Sequence, residues 1–176
     1  MKRSTRITFA CLLLSAITTA CSNHGQNAAV ESTTPAVSQK ITSESVVKAT
    51  AQPVEIPSGG SAEAIVRVTI QNGYHINGNP PTFSYLKATS LEIPATEGVS
   101  VAFVTYPNAL EKQFAFSEKA LAVYEGETEI RATLKADKAA KTGERSVPAQ
   151  LRIQACDDQV CYPPGTLELA IPVNIK

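Results

Sequence analysis

Tryptophan is absent from this 176-residue sequence, methionine occurs once, and histidine stands at only two positions, His24 and His75. A structural zinc site needs four ligands, and two imidazoles plus a sparse set of cysteines do not supply them, so no metal is expected. A cysteine hydrolase would have only His75 as its base, and that residue reads as an exposed loop histidine. Net charge is missing too, with 16 basic against 16 acidic side chains. Taking away Lys2, Arg3 and Arg6 leaves 13 basic against the same 16 acidic residues, a faintly acidic remainder with no footprint for nucleic acid. Long apolar runs are lacking as well. Residues 7–17 form an apolar run, but a bilayer span needs about 20 such residues.

What the N-terminus does have is the pattern of an export signal: a basic start, the apolar run, then Thr18-Thr19-Ala20 before Cys21. Small residues running into a cysteine resemble the lipobox of bacterial lipoproteins, in which that cysteine carries lipid after cleavage. Residues 1–20 are therefore read as a lipoprotein-type signal peptide and Cys21 as the lipidation site. Ser22, rather than Asp, follows it, which resembles the pattern sorted to the outer membrane where a cell has one. Residues 21–45 are rich in Ser, Thr, Asn, Gln and Ala and cannot bury enough apolar surface to offset their ordering entropy. As a flexible tether of that length they would reach on the order of 27 Å. The cysteine count then resolves: Cys11 leaves with the signal, Cys21 is lipidated, and Cys156 and Cys161 remain as a pair.

The ordered domain is expected over residues 46–176. Ala64, Val66, Val68 and Ile70 alternate with Glu63, Ile65, Arg67 and Thr69, and Asn72-Gly73 marks a turn after them. Residues 74–81 are dense in breakers and read as a loop. Residues 86–93 and 99–104 read as strands. Ile130, Ala132 and Leu134 alternate, as do Val147, Ala149, Leu151, Ile153 and Ala155, and then Leu167, Leu169, Ile171, Val173 and Ile175. Residues 111–122 are the least strand-like and read as a long loop. Short alternating strands without a helical period predict an all-β, immunoglobulin-like antiparallel β-sandwich.

Near the end of that domain stands Gln154-Ala155-Cys156-Asp157-Asp158-Gln159-Val160-Cys161-Tyr162-Pro163-Pro164. Alternation puts Cys156 on the parity opposite the core-facing residues, at a strand end, with Cys161 opening the return strand. Cysteines facing each other across a hairpin base can meet disulfide geometry. Closing so small a ring stabilises a chain by only about 2 kcal/mol, little for a domain of this size. Two readings stay open: a pair that makes and breaks its disulfide, or a passive bridge in a non-catalytic binding lipoprotein. Asp157 and Asp158 raise thiol pKa and disfavour thiolate, which describes a restrained pair dependent on a partner.

The same eleven residues resemble the redox motif in the N-terminal periplasmic domain of DsbD-type thiol:disulfide interchange proteins. Gly73-Tyr74-His75-Ile76-Asn77 with Asn79-Pro80-Pro81 resembles that domain's aromatic-bearing loop, and Phe114-Ala115-Phe116-Ser117-Glu118-Lys119 the end of its cap loop. The resemblance implies an exported, periplasmic immunoglobulin-like domain that passes reducing equivalents between thioredoxin-fold partners, a protein-disulfide-reductase-like component with no cofactor beyond its cysteines. It implies that Cys161 forms the mixed disulfide and Cys156 resolves it. It also implies a cap around residues 112–116 with Phe114 over the sulfurs and Phe116 beside it, and a site lined by Tyr74, His75, Asp157, Asp158 and Tyr162. Lys112 and Gln113 depart from the acidic or aromatic residues expected at the cap. Family members continue into a membrane conduit, so this chain, read as a stand-alone lipoprotein, is expected to need a separate electron donor.

Overall fold

In the computed structural model, residues 40–176 are described. The leader, Cys21 and all but the last residues of the expected tether lie outside them. Among the described residues, twelve strands form three four-stranded sheets. The first runs β1 (Val47–Ala51), β3 (Ser61–Ile70), β9 (Glu127–Ala136) and β6 (Val99–Thr105). The second runs β2 (Val54–Ile56), β12 (Gly165–Ile175), β10 (Gly143–Ile153) and β5 (Ser90–Glu92). The third is smaller: β11 (Ala155–Cys156), β4 (His75–Asn77), β8 (Leu121–Tyr124) and β7 (Leu110–Lys112). All pairings are antiparallel except β2 with β12.

The alternation read from the sequence is what builds the two large sheets. Along β10, Val147, Ala149, Leu151 and Ile153 are buried while the residues between them face solvent, and β3 and β9 repeat the pattern. Successive strand residues point to opposite faces, so one apolar parity per strand makes one core. Val66, Val68, Ile130, Leu134, Leu151 and Ile171 meet in that core, each essentially without solvent contact. Fully burying such a side chain contributes about 1.5–3 kcal/mol.

Five local expectations are corrected. Residues 86–93 contribute only the three-residue β5. Residues 111–122 are not one long loop; β7 and β8 flank a short loop over 113–120. The breaker-rich stretch 74–81 contains β4, a strand with neighbours on both sides and all three residues buried. It is short because Gly73, at φ 85°, turns the chain in and Gly78-Asn79-Pro80-Pro81 turns it out. Cys161 opens no return strand, since it makes one isolated bridge to Cys156 and β12 begins only at Gly165. The packed chain also starts ahead of Val46, because a 3-10 turn at Ser43–Ser45 lies on the domain with Ser43 buried.

One corner matters most for function. The chain leaves the second sheet at Ile153 and enters the third at Ala155, with Gln154 between them. Gln154 Oε1 accepts hydrogen bonds from Asn77 Nδ2 (3.0 Å) and the Lys87 N–H (2.9 Å), and its Nε2 donates to the Tyr162 carbonyl at 3.2 Å. Parity carries through this corner. Ala155, opposite Ile76, joins the main core, while Cys156, opposite His75, points to the other face and is buried there as well.

Candidate functional site

Cys156 and Cys161 form a disulfide across the hairpin that follows this corner. The two sulfurs are not equivalent. Cys156 has no solvent exposure (0%), while Cys161 is partly exposed. The hairpin is braced independently of the disulfide. Tyr162 N–H donates to Ala155 O (2.8 Å) at its base, and Asp157 N–H donates to Val160 O (2.9 Å) at its tip. Asp157 Oδ1 accepts the Gln159 and Val160 N–H groups, both at 2.8 Å, and Oδ2 accepts the Tyr162 hydroxyl at 2.6 Å.

The residue after each cysteine is thus bonded to the residue after the other. The Tyr162 hydroxyl, followed by the two backbone donors, holds Asp157 below its ordinary value. The same bond pushes Tyr162 up to about 12. This brace is complete above the usual carboxylate range and fades as pH falls through the depressed value of Asp157. On the alkaline side it fades as pH rises from the ordinary tyrosine value toward that of Tyr162. Tyr162→Phe should therefore lower the urea midpoint at neutral pH, with the gap to the parent closing in acid and in strong alkali. A gap that stays constant across pH would deny the brace any role. Asp157 stays anionic beside the sulfurs, with exposed Asp158 next to it, and both oppose thiolate formation.

The floor of the site is β4. His75 pairs with Cys156 across the sheet and is 1% exposed, which corrects its reading as an exposed loop histidine. Burial lowers its pKa; Glu125, Asp158 and Asp157 act in the opposite direction and Lys112 in the same one. Phe114, 4% exposed, stacks on the His75 ring with centroids 4.1 Å apart, and Phe116, 42% exposed, stacks on Phe114 at 5.4 Å. The 113–120 loop is thereby seated on the strand that carries Cys156's partner. Lys112 and Gln113, odd in the sequence comparison, hold that loop. Lys112 Nζ pairs with Glu125 at 2.5 Å and lies 5.3 Å from the Phe114 ring centre, while Gln113 Nε2 donates to the Phe114 and Ser117 carbonyls. Tyr74 sits 6.1 Å from the Tyr162 ring on the other flank.

The structure therefore gathers Tyr74, His75, Phe114, Phe116, Asp157, Asp158 and Tyr162 around the disulfide or onto the elements beside it. Cys21 lies outside the described residues. Among the described residues, no group of three or more His, Cys, Asp or Glu side chains is placed to hold a metal ion, and no helix is long and apolar enough to cross a membrane.

Over residues 42–171 the chain matches the family described as thiol:disulfide interchange protein DsbD, N-terminal. The chain belongs to the DsbD N-terminal domain family. The match starts at the turn that precedes β1 and runs into β12, so it takes in the cysteine hairpin, β4 and the Phe114 loop. Similar solved structures include the N-terminal periplasmic domain of ScsB from Proteus mirabilis, 18% identical with a TM-score of 0.49, covering 71% of this chain and 44% of that one. Another is the CssB subunit of an enterotoxigenic Escherichia coli colonization factor, complemented with a donor strand from CssA. It is 14% identical with a TM-score of 0.40 and covers 76% of this chain and 99% of that one. No curated protein sequence matches the chain.

Sequence reading missed three groups that shape this DsbD N-terminal-type site. Gln154 and Asn77 make the corner, and Ser43 packs beneath the hairpin. A polar residue closing an apolar alternation was the available signal for Gln154. Ser43 carried none, being one of many serines in a polar stretch.

Proposed function

We propose that this domain carries reducing equivalents between thioredoxin-fold partners by thiol-disulfide exchange at Cys156–Cys161. The observation that carries the reading is the asymmetry of the pair: Cys156 fully buried and Cys161 partly exposed, in a chain of the DsbD N-terminal family. A partner thiolate can reach Cys161. Its attack there forms the mixed disulfide and releases Cys156 as thiolate, which takes up a proton. The partner's other cysteine, as thiolate, then attacks the partner sulfur of the mixed disulfide, giving the partner disulfide and releasing Cys161 as a thiolate that takes up a proton. In the opposite direction Cys161 attacks the partner disulfide and Cys156 resolves the adduct. The acidic tip and the seated Phe114 loop slow reaction with bystanders, leaving docking to select the partner.

The reduction potential of the pair tests this reading. Equilibration against glutathione should give about −200 to −250 mV, the range of exchange proteins, whereas a value well below about −300 mV marks a structural disulfide. That second result would leave a binding domain with a passive bridge.

The proposal extends to location. The leader pattern and the family support an exported, periplasmic domain held on a membrane by lipid at Cys21. Cys21→Ser should move the protein from the membrane fraction to the soluble fraction of exported protein. Unchanged membrane retention would remove the lipid anchor from the proposal.

A further inference from the structure

The turn that leads into the domain lies directly under the redox hairpin. Ser43 has no solvent exposure, and its hydroxyl serves both arms at once. Its Oγ donates to the Pro163 carbonyl at 2.7 Å and accepts the Ala155 N–H at 2.9 Å. Ala155 immediately precedes Cys156, and Pro163 stands two residues after Cys161. The next residue reinforces the seat, for Glu44 Oε1 accepts the Thr166 N–H at 3.2 Å. The Glu44 carboxylate occupies the space a side chain at position 165 would need, which Gly165 leaves free. The same segment therefore clips the hairpin and the strand that leaves it.

We propose that Ser43 is a positioning residue for the redox pair: its hydroxyl holds the two arms of the hairpin together in the dithiol state and so sets how readily the disulfide forms. Oxidation removes two electrons and two protons from the Cys156 and Cys161 thiols and forms the S–S bond. Glutathione disulfide accepts them and becomes two glutathione thiols. Without the clip, the two redox states respond differently. The disulfide keeps the arms together, so the Ala155 N–H and Pro163 carbonyl stay in place and unpaired, at the cost of a buried polar group without its partner. The dithiol form escapes part of that cost, because the base and tip hydrogen bonds alone hold its arms less tightly than the S–S bond does, and they can part far enough to let water reach the buried Ala155 N–H. Losing the hydroxyl therefore destabilises the disulfide state more. An ordinary anchoring role would weaken both states equally and leave the redox equilibrium where it was.

The test compares Ser43→Ala with the parent as full chains equilibrated in glutathione buffers, reading only the Cys156–Cys161 peptide by thiol alkylation and mass spectrometry. The equilibrium constant for disulfide formation should fall about tenfold, a potential about 30 mV less negative. A constant unchanged within about twofold, or raised, overturns the proposal. Should Ser43→Ala fail to fold, amide exchange in the unaltered chain decides instead. Ala155 N–H should keep its protection within about tenfold when the disulfide is reduced. Loss of that protection on reduction overturns the proposal. The inference rests on the exchange reading above, yet the two fail separately. A parent potential well below the exchange range sinks the exchange function, and the shift between parent and variant judges Ser43.

Discussion

A Cys156→Ser chain should accumulate a covalent adduct with a thioredoxin-fold protein that keeps only the first cysteine of its Cys-x-x-Cys pair, activated as a mixed disulfide with thionitrobenzoate, and a Cys161→Ser chain should accumulate none. Exchange proceeds by thiolate attack along an accessible path, and only Cys161 offers one, Cys156 being sealed beneath the hairpin against β4. With Cys156 replaced, Cys161 can still attack the partner's activated sulfur and expel thionitrobenzoate, and neither protein keeps a second thiol at the site to resolve the product. The adduct then persists as the main species on a non-reducing gel. With Cys161 replaced, the remaining thiol is out of reach. Adducts from both variants would mean the hairpin opens far enough to expose Cys156, and adducts from neither would end the exchange reading at this pair.

Phe114→Ala is expected to have the next largest effect, on two observables. Phe114 is buried in a small cluster with Leu121 and Val123, flanked by Phe83 and Leu86, and its ring covers His75. Truncating a buried phenylalanine costs about 3–5 kcal/mol, and the low end applies here because a surface loop can relax around the gap. The unfolding midpoint in urea should drop accordingly. The second observable is access. With its main anchor gone, the 113–120 loop lifts from β4 more often, and reduction of Cys156–Cys161 by dithiothreitol should speed up about tenfold. A variant that loses stability but keeps the parent's reduction rate would reduce Phe114 to a packing residue and remove shielding from the account of the loop.

The strands were the most legible part of the chain. β3, β9, β10 and β12 could be drawn from their apolar parity, because each is long and has one buried face. β4, β7 and β11 could not, being two or three residues long with no period to detect. The same limit explains the error at His75. A histidine bracketed by Asn-Gly and Gly-Asn-Pro-Pro looks like loop, and its burial comes from neighbours far along the chain, Cys156 beside it and Phe114 above it.

The sequence by itself determined the all-β class and the closeness of the two cysteines, since strand period and a pair five residues apart are local properties. Tertiary structure alone decided which cysteine is exposed. Parity puts Cys156 on the face away from the main core, and that face is closed because the corner at Gln154, held by Asn77, Lys87 and Tyr162, lays Cys156 beside His75, on which Phe114 stacks. It alone also drew Ser43 under a hairpin more than a hundred residues downstream. The physical reason is common to both. A side chain's direction within a strand follows from its two neighbours, whereas its burial and its hydrogen-bond partners depend on which distant segments fold onto it.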